Sequence, residues 1–193
     1  MCTPVGHSLC GVLIWTMLAL PARRTLGYLW RWARRQWEGL LLAVLMANLC
    51  DLDYLPGLFF GELNAWHHMY THSIGWVVLA GVGTCLVWKG LEPATEDKCL
   101  LIVALALLSH LALDWLTRDG GPPFGILLGW PFSLERTVSP IPLFPAVSKP
   151  SFAEIWRASN GVPFLFDLVF FLVLIALALA WKTRRAAPES PSR

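Results

Sequence analysis

Five apolar runs, at residues 8–20, 39–50, 73–88, 100–116 and 164–181, are set apart by polar, basic or proline-rich stretches. The pattern predicts an all-α chain of about five apolar helices. The run at 164–181 is the clearest, stopped by Lys182, Arg184 and Arg185. The run at 8–20 falls short of the roughly 20 residues a membrane crossing needs, so it must borrow residues at both ends or insert only partly. After the second run, Asp51-Leu52-Asp53-Tyr54-Leu55 leads into Pro56-Gly57, which is expected to close that helix. From residue 117 to about 162 proline and glycine recur, and Gly120-Gly121-Pro122-Pro123 and Ser139-Pro140-Ile141-Pro142 exclude long helices. The apolar piece at 124–130 is expected to lay this loop over the mouth of the bundle. Residues 1–182 thus read as one membrane-embedded domain and 183–193 as a disordered basic tail.

Composition places the helices in a bilayer. At 56% hydrophobic and 15% charged, the chain is too apolar for an ordinary water-soluble domain. The net charge of +2 sits in short basic flanks beside apolar runs, which argues against a nucleic-acid partner. Between residues 22 and 38, five arginines interleave with Tyr28, Trp30, Trp32 and Trp37, the composition of a segment lying against anionic headgroups. If that segment and the basic tail are both cytoplasmic, four crossings must lie between them, and four apolar runs are there. Tracing this path brings His7, the Asp51–Asp53 turn, residues 67–72 and the end of the fourth run to the same, outer side. Cys2, Cys10, Cys50, Cys85 and Cys99 are scattered without a close pair, and the four in or beside apolar runs read as small buried hydrophobes. No basic region precedes the first run and no clear small-residue cleavage site is present, so no removable signal peptide is expected.

The candidate chemistry gathers where the topology does. Three of the five histidines, His67, His68 and His72, fall in one short stretch before the third run. His110 and Asp114 lie one helical turn apart near the end of the fourth. An ionised aspartate at the centre of a membrane helix costs about 2.5–3.5 kcal/mol on insertion scales, so Asp114 needs a partner. Asp51 and Asp53 can converge on one side only in turn or extended geometry, just past a helix end. Imidazole and carboxylate together suit zinc, manganese or iron, and seven such groups are too many for one tetrahedral ion, so two divalent metal ions are expected. A metal pair can lower the pKa of water and clamp both oxygens of a phosphoester. Asp167 reads as a hydrogen bonder near a helix N-terminus, and Thr71 or Ser73 as a helix cap.

Gly6-His7-Ser8, Asp51-Leu52-Asp53, His67 with Thr71-His72-Ser73, Ser109-His110 with Asp114 and Thr117, and Trp130-Pro131 resemble, in order, the motifs of a bacterial family of inner-membrane metal-dependent hydrolases. That family, whose best-known member is described as LexA-regulated, is similar in ligand types to zinc-dependent phospholipase C and P1-type nucleases. The resemblance implies a multi-pass inner-membrane hydrolase with His7, Asp51, Asp53, His67, His72, His110 and Asp114 as metal ligands. The family usually has Arg-Gly where this chain has His68-Met69. His68 and Arg118 are therefore the candidate catalytic residues, His68 as an acid or as a hydrogen-bond donor behind the ligands, and Arg118, or Arg136, in place of the missing guanidinium. The expected partners are the lipid bilayer and a phospholipid or lipid-linked phosphate, with Phe124, Ile126, Leu127 and Leu128 as apolar cover for an acyl chain. The main rival is a non-catalytic metal-binding or metal-transporting membrane protein. A transporter, however, is expected to carry its ligands near the membrane midplane rather than at helix ends.

Overall fold

In a computed structural model, residues 2–22, 36–60, 63–91, 97–148, 151–155 and 157–185 are described, and they contain helices and no strand. The helices are α1 (Pro4–Leu18), α2 (Trp37–Asn48), α3 (Tyr54–Phe60), α4 (Leu63–Trp66), α5 (Ile74–Leu91), α6 (Asp97–Trp115), α7 (Phe152–Ile155) and α8 (Gly161–Arg184). Two 3-10 turns, Leu49–Asp53 and Ala158–Asn160, lie before α3 and α8. The arginine-rich segment at 23–35 and the tail from 186 onward, both read from the sequence, lie outside the described residues.

Three stretches, Trp37–Phe60, Lys98–Trp115 and Ala158–Arg184, are long and apolar enough to cross a membrane, while Pro4–Leu18 and Ile74–Gly90 are shorter apolar helices. Their outward faces are apolar: Val78, Leu79, Val82, Leu86 and Val87 on α5, and Leu165, Val169, Leu172, Val173 and Leu177 on α8, are all exposed. A surface of that kind is untenable in water and natural against acyl chains.

Short as it is, α1 is the hub of the bundle, packing on α2, α6 and α8. Thr3 caps it, its hydroxyl accepting the Gly6 N–H at 3.0 Å, with Pro4 in the first turn where a missing N–H costs nothing. Gly11 lets α2 come close: a β-carbon there would lie 2.7 Å from the Ala43 carbonyl oxygen. The core between α2, α5 and α6 is built from Leu42, Met46, Ala47, Val77, Val103 and Leu107.

Pro56 does not end helical structure as its place in the sequence implies. It falls in the first turn of α3, where backbone N–H groups have no intrahelical partner in any case. The chain therefore turns through Leu49–Asp53 and resumes as helix.

Residues 117–148 form the expected irregular cap. It is tied to α5 by the N–H groups of Ile74 and Gly75, which donate to the carbonyls of Leu128 and Trp130. Ile126 and Leu127 are buried within it, Ile126 exchanging backbone hydrogen bonds with Thr137. These two side chains anchor the cap and so give no cover to an acyl chain. The apolar groups it exposes are Phe124, Phe132, Leu134, Val138, Ile141 and Leu143.

Candidate metal centre

Four parts of the chain deliver the polar cluster. The N-terminal end of α1 carries His7, the 3-10 turn after α2 carries Asp51 and Asp53, the turn before α5 carries His67, His68 and His72, and the C-terminal end of α6 carries His110 and Asp114. Because these residues meet, α1, α5 and α8 run away from the site and α2 and α6 run toward it. The opposite end of the bundle agrees, since Lys182 near the end of α8 donates to the Leu20 carbonyl just past α1.

Asp51 faces three of the histidines. Its Oδ1 lies 3.7 Å from His110 Nε2, 3.8 Å from His72 Nε2 and 3.9 Å from His67 Nδ1, all beyond hydrogen-bond length. Both of its carboxylate oxygens are buried and, among the described residues, accept no hydrogen bond. A buried carboxylate left in that state is costly, and a cation is the natural remedy.

The surrounding distances fit one. Around a tetrahedral ion with bonds of about 2.0 Å, neighbouring ligand atoms stand roughly 3.3 Å apart. Within the set Asp51, His72, His110 and Asp114, three further spacings are 3.1 Å for His72 Nε2 to His110 Nε2, 3.0 Å for His72 Nε2 to Asp114 Oδ2 and 3.3 Å for His110 Nε2 to Asp114 Oδ2. Two further sets, Asp51 with Asp53 and His67, and His67 with His68, His72 and Asp114, also have donor atoms close enough to share an ion. The cluster could therefore hold metal, and its donor types are those zinc, manganese and iron accept.

Hydrogen bonds on the far side of the rings aim them inward. His110 Nδ1 lies 2.7 Å from the Ala47 carbonyl, which can only accept, so this nitrogen carries the proton and Nε2 presents its lone pair to the cluster. Asp53 does the same for two rings, its Oδ1 lying 2.8 Å from His67 Nδ1 and its Oδ2 3.0 Å from His72 Nδ1. The Thr71 hydroxyl donates to Asp53 Oδ2 at 2.8 Å. Carboxylate–imidazole pairs of this kind fix the tautomer of metal-binding histidines and raise their basicity. Burial alone would lower the pKa of His72, but its contacts with the Asp114 and Asp53 carboxylates outweigh that and push it up to about 9. In the absence of an ion, a proton on His72 supplies the positive charge the carboxylates need.

His7 reaches the cluster from the other flank. Its Nε2 lies 3.2 Å from Asp114 Oδ1 and its ring stacks on His110 at 3.8 Å, but it belongs to none of the three donor sets found among the described residues. The start of the chain is fastened beside it. Cys2 N–H donates to Asp114 Oδ1 at 2.9 Å, and Thr3 N–H donates to Asp167 Oδ2 at 2.8 Å. Asp167, read from the sequence as a hydrogen bonder near a helix N-terminus, has that role, and Ser73 caps α5 by accepting the Trp76 N–H.

Arg118 is exposed, and among the described residues its guanidinium makes no polar contact with the cluster. The guanidinium beside the histidines belongs to Arg136. It donates to the carbonyls of Gly125 at 2.8 Å and His68 at 3.3 Å, and its Nη2 lies 3.1 Å from the Met69 sulfur. Two participants were not singled out from the sequence. Tyr54 stacks on His67 with ring centroids 3.9 Å apart, and Asp119 approaches His68 from the cap, Oδ1 to Nδ1 at 3.6 Å. The only hint of Asp119 in the sequence was an acidic residue ahead of Gly120-Gly121, inside a loop read as covering the site.

Comparison with known proteins gives the chain its place. The family described as YdjM inner membrane protein matches residues 1–186. Inner membrane protein YbcI of Escherichia coli (strain K12) is 31% identical over 104 residues, an alignment that covers 52% of this chain and 58% of that relative. The chain thus spans little more than half the length of this curated relative. No solved structure matches it. Three spans fit for a bilayer, a His/Asp cluster at one end of the bundle and a match along nearly the whole chain agree: it is an inner-membrane protein and belongs to the YdjM inner membrane protein family.

Proposed function

We propose that this chain is a membrane-bound, metal-dependent hydrolase of phosphoesters. The observation that carries the reading is Asp51, whose two buried oxygens accept no hydrogen bond among the described residues and which has candidate donors on both sides, His72, His110 and Asp114 on one and His67, oriented by Asp53, on the other. A carboxylate shared in that way suits a pair of divalent ions, zinc being the best match to the donors, with manganese or iron also compatible. Such ions, when bound, make water a nucleophile at neutral pH and stabilise charge on phosphoester oxygens. The chain's own part is to hold the donors still. Asp53 and the Ala47 carbonyl fix three rings, and the helix packing around α1 closes the cluster against bulk water. Arg136, pinned by two carbonyls, supplies positive charge at the edge where a phosphate would enter.

The substrate fits a lipid phosphate. The cap that adjoins the site exposes Phe124, Phe132, Leu134, Val138, Ile141 and Leu143, an apolar margin beside helices that already face acyl chains. Purified protein loaded with zinc or manganese, in detergent or vesicles, should hydrolyse a long-chain phosphoester faster than a soluble ester bearing the same headgroup, and a chelator should stop both. Equal rates on the two substrates would discard the lipid preference. Metal bound in stoichiometric amount without turnover of any phosphomonoester, phosphodiester or phospholipid would favour the non-catalytic metal-binding reading.

A further inference from the structure

His68 has a backbone that needs explaining. Its φ is +61°, the left-handed region, which non-glycine residues adopt rarely and which persists only where the surroundings enforce it. The cap holds the residue at two points. Arg136 donates to its carbonyl oxygen at 3.3 Å, and Asp119 Oδ1 lies 3.6 Å from its Nδ1, an electrostatic contact rather than a hydrogen bond. Asp119 is itself fixed, its Oδ2 accepting the Gly125 N–H at 2.7 Å.

Held in this way, the ring turns into the cluster. It lies buried against His67, with ring centroids 4.0 Å apart, and its Nε2 stands 3.5 Å from Asp114 Oδ2, close to the roughly 3.3 Å expected between two ligands of one tetrahedral ion. Its donor atom, with those of His67, His72 and Asp114, forms one of the three sets able to share an ion. We infer that His68 is itself a ligand for a zinc-like divalent ion, and that through Asp119 and Arg136 the cap is part of the metal centre. The inference rests on the metal reading of the cluster and extends it. Asp119 serves as a positioning residue, holding His68 electrostatically where Asp53 holds His67 and His72 at hydrogen-bond distance. Loading the site should therefore tighten the cap.

Cobalt(II) titration of the full chain in detergent tests both parts, read by visible absorption and by hydrogen exchange of residues 117–148. His68→Gly is the informative variant, because glycine adopts a φ of +61° without strain and keeps the carbonyl that Arg136 grips. Asp119→Asn is the milder one, since its amide oxygen can still accept the Gly125 N–H. The wild type should bind cobalt with visible absorption bands and slow exchange across the cap. His68→Gly should bind at least about tenfold more weakly with altered bands, and Asp119→Asn should lose affinity within the 10–100-fold range typical of groups that orient a ligand. In His68→Gly the cap should no longer slow its exchange on loading. Wild-type affinity and bands in His68→Gly would overturn the inference and leave the other ligands standing, whereas absence of cobalt binding in the wild type would remove the metal reading and this inference together. Should His68→Gly fail to purify as a folded protein, Asp119→Asn decides: wild-type affinity, bands and cap exchange there would overturn the role of the cap.

Discussion

At the scale of single residues, two aspartates two positions apart have different work. Asp51 faces the histidines with both oxygens unbonded, whereas Asp53 has both oxygens engaged by His67, His72 and Thr71. Asp51→Asn should lower zinc affinity by about 100-fold or more, while Asp53→Asn should cost on the order of 10–100-fold, because it disturbs ring orientation. Calorimetric titration of the two variants against the wild type would compare them directly, and equal losses would deny the distinction. Which residues would gather was legible from types and spacing. Their division of labour was not, because it depends on a 3-10 turn and on the Ala47 carbonyl, neither of which leaves a mark in composition. The proton on His72 gives a second expectation. Its pKa is raised from 6.5 to about 9, so in metal-free protein its contribution to stability is complete below about pH 6.5 and is lost as pH rises through about 9. An ion must displace that proton, so zinc uptake at pH 7.5 should release protons and weaken as pH falls. Calorimetry in buffers of different ionisation enthalpy measures the release, and a buffer-independent heat would count against it.

Among the elements, α1 keeps its reading as a run short of a full crossing, and its place at the centre of the bundle is what the sequence did not show. Length alone decides whether a helix can cross a bilayer unaided. It does not show that Gly6 and Gly11 let a 15-residue helix sit at the centre of a bundle, packed on three others. Pro56 misled for a related reason, since a proline near the start of one helix and past the end of another looks the same in sequence. The five apolar runs themselves and the irregular cap were legible, because apolar length and Pro/Gly density act locally. Gly11→Val should push α1 from α2 at the Ala43 carbonyl and destabilise the protein by about 1–3 kcal/mol, the range for overpacking. A lowered melting temperature in detergent is the expected result, and an unchanged one would show that the two helices need not approach so closely. Gly75→Val, which would crowd the Trp130 carbonyl, should loosen the cap and raise its hydrogen exchange with less effect on the bundle.

For the whole molecule, the direction of each helix follows from where the cluster residues fall along it, while the side of the membrane follows only from the arginine bias of residues 23–35 and the basic tail. Residues 67–72 are expected on the outer face of the inner membrane and residues 89–98 in the cytoplasm. Accessibility labelling of single cysteines at positions 70 and 190 should report opposite sides, and the same side for both would reverse the placement. The most direct measurement of whether the cluster holds metal is elemental analysis of purified protein after zinc loading and removal of free metal, on the wild type and on Asp51→Asn. Two zinc ions per wild-type chain are expected, with a clear deficit in Asp51→Asn at unchanged elution volume and helix content. No stoichiometric metal in the wild type, or equal metal in the two proteins, would contradict the metal reading.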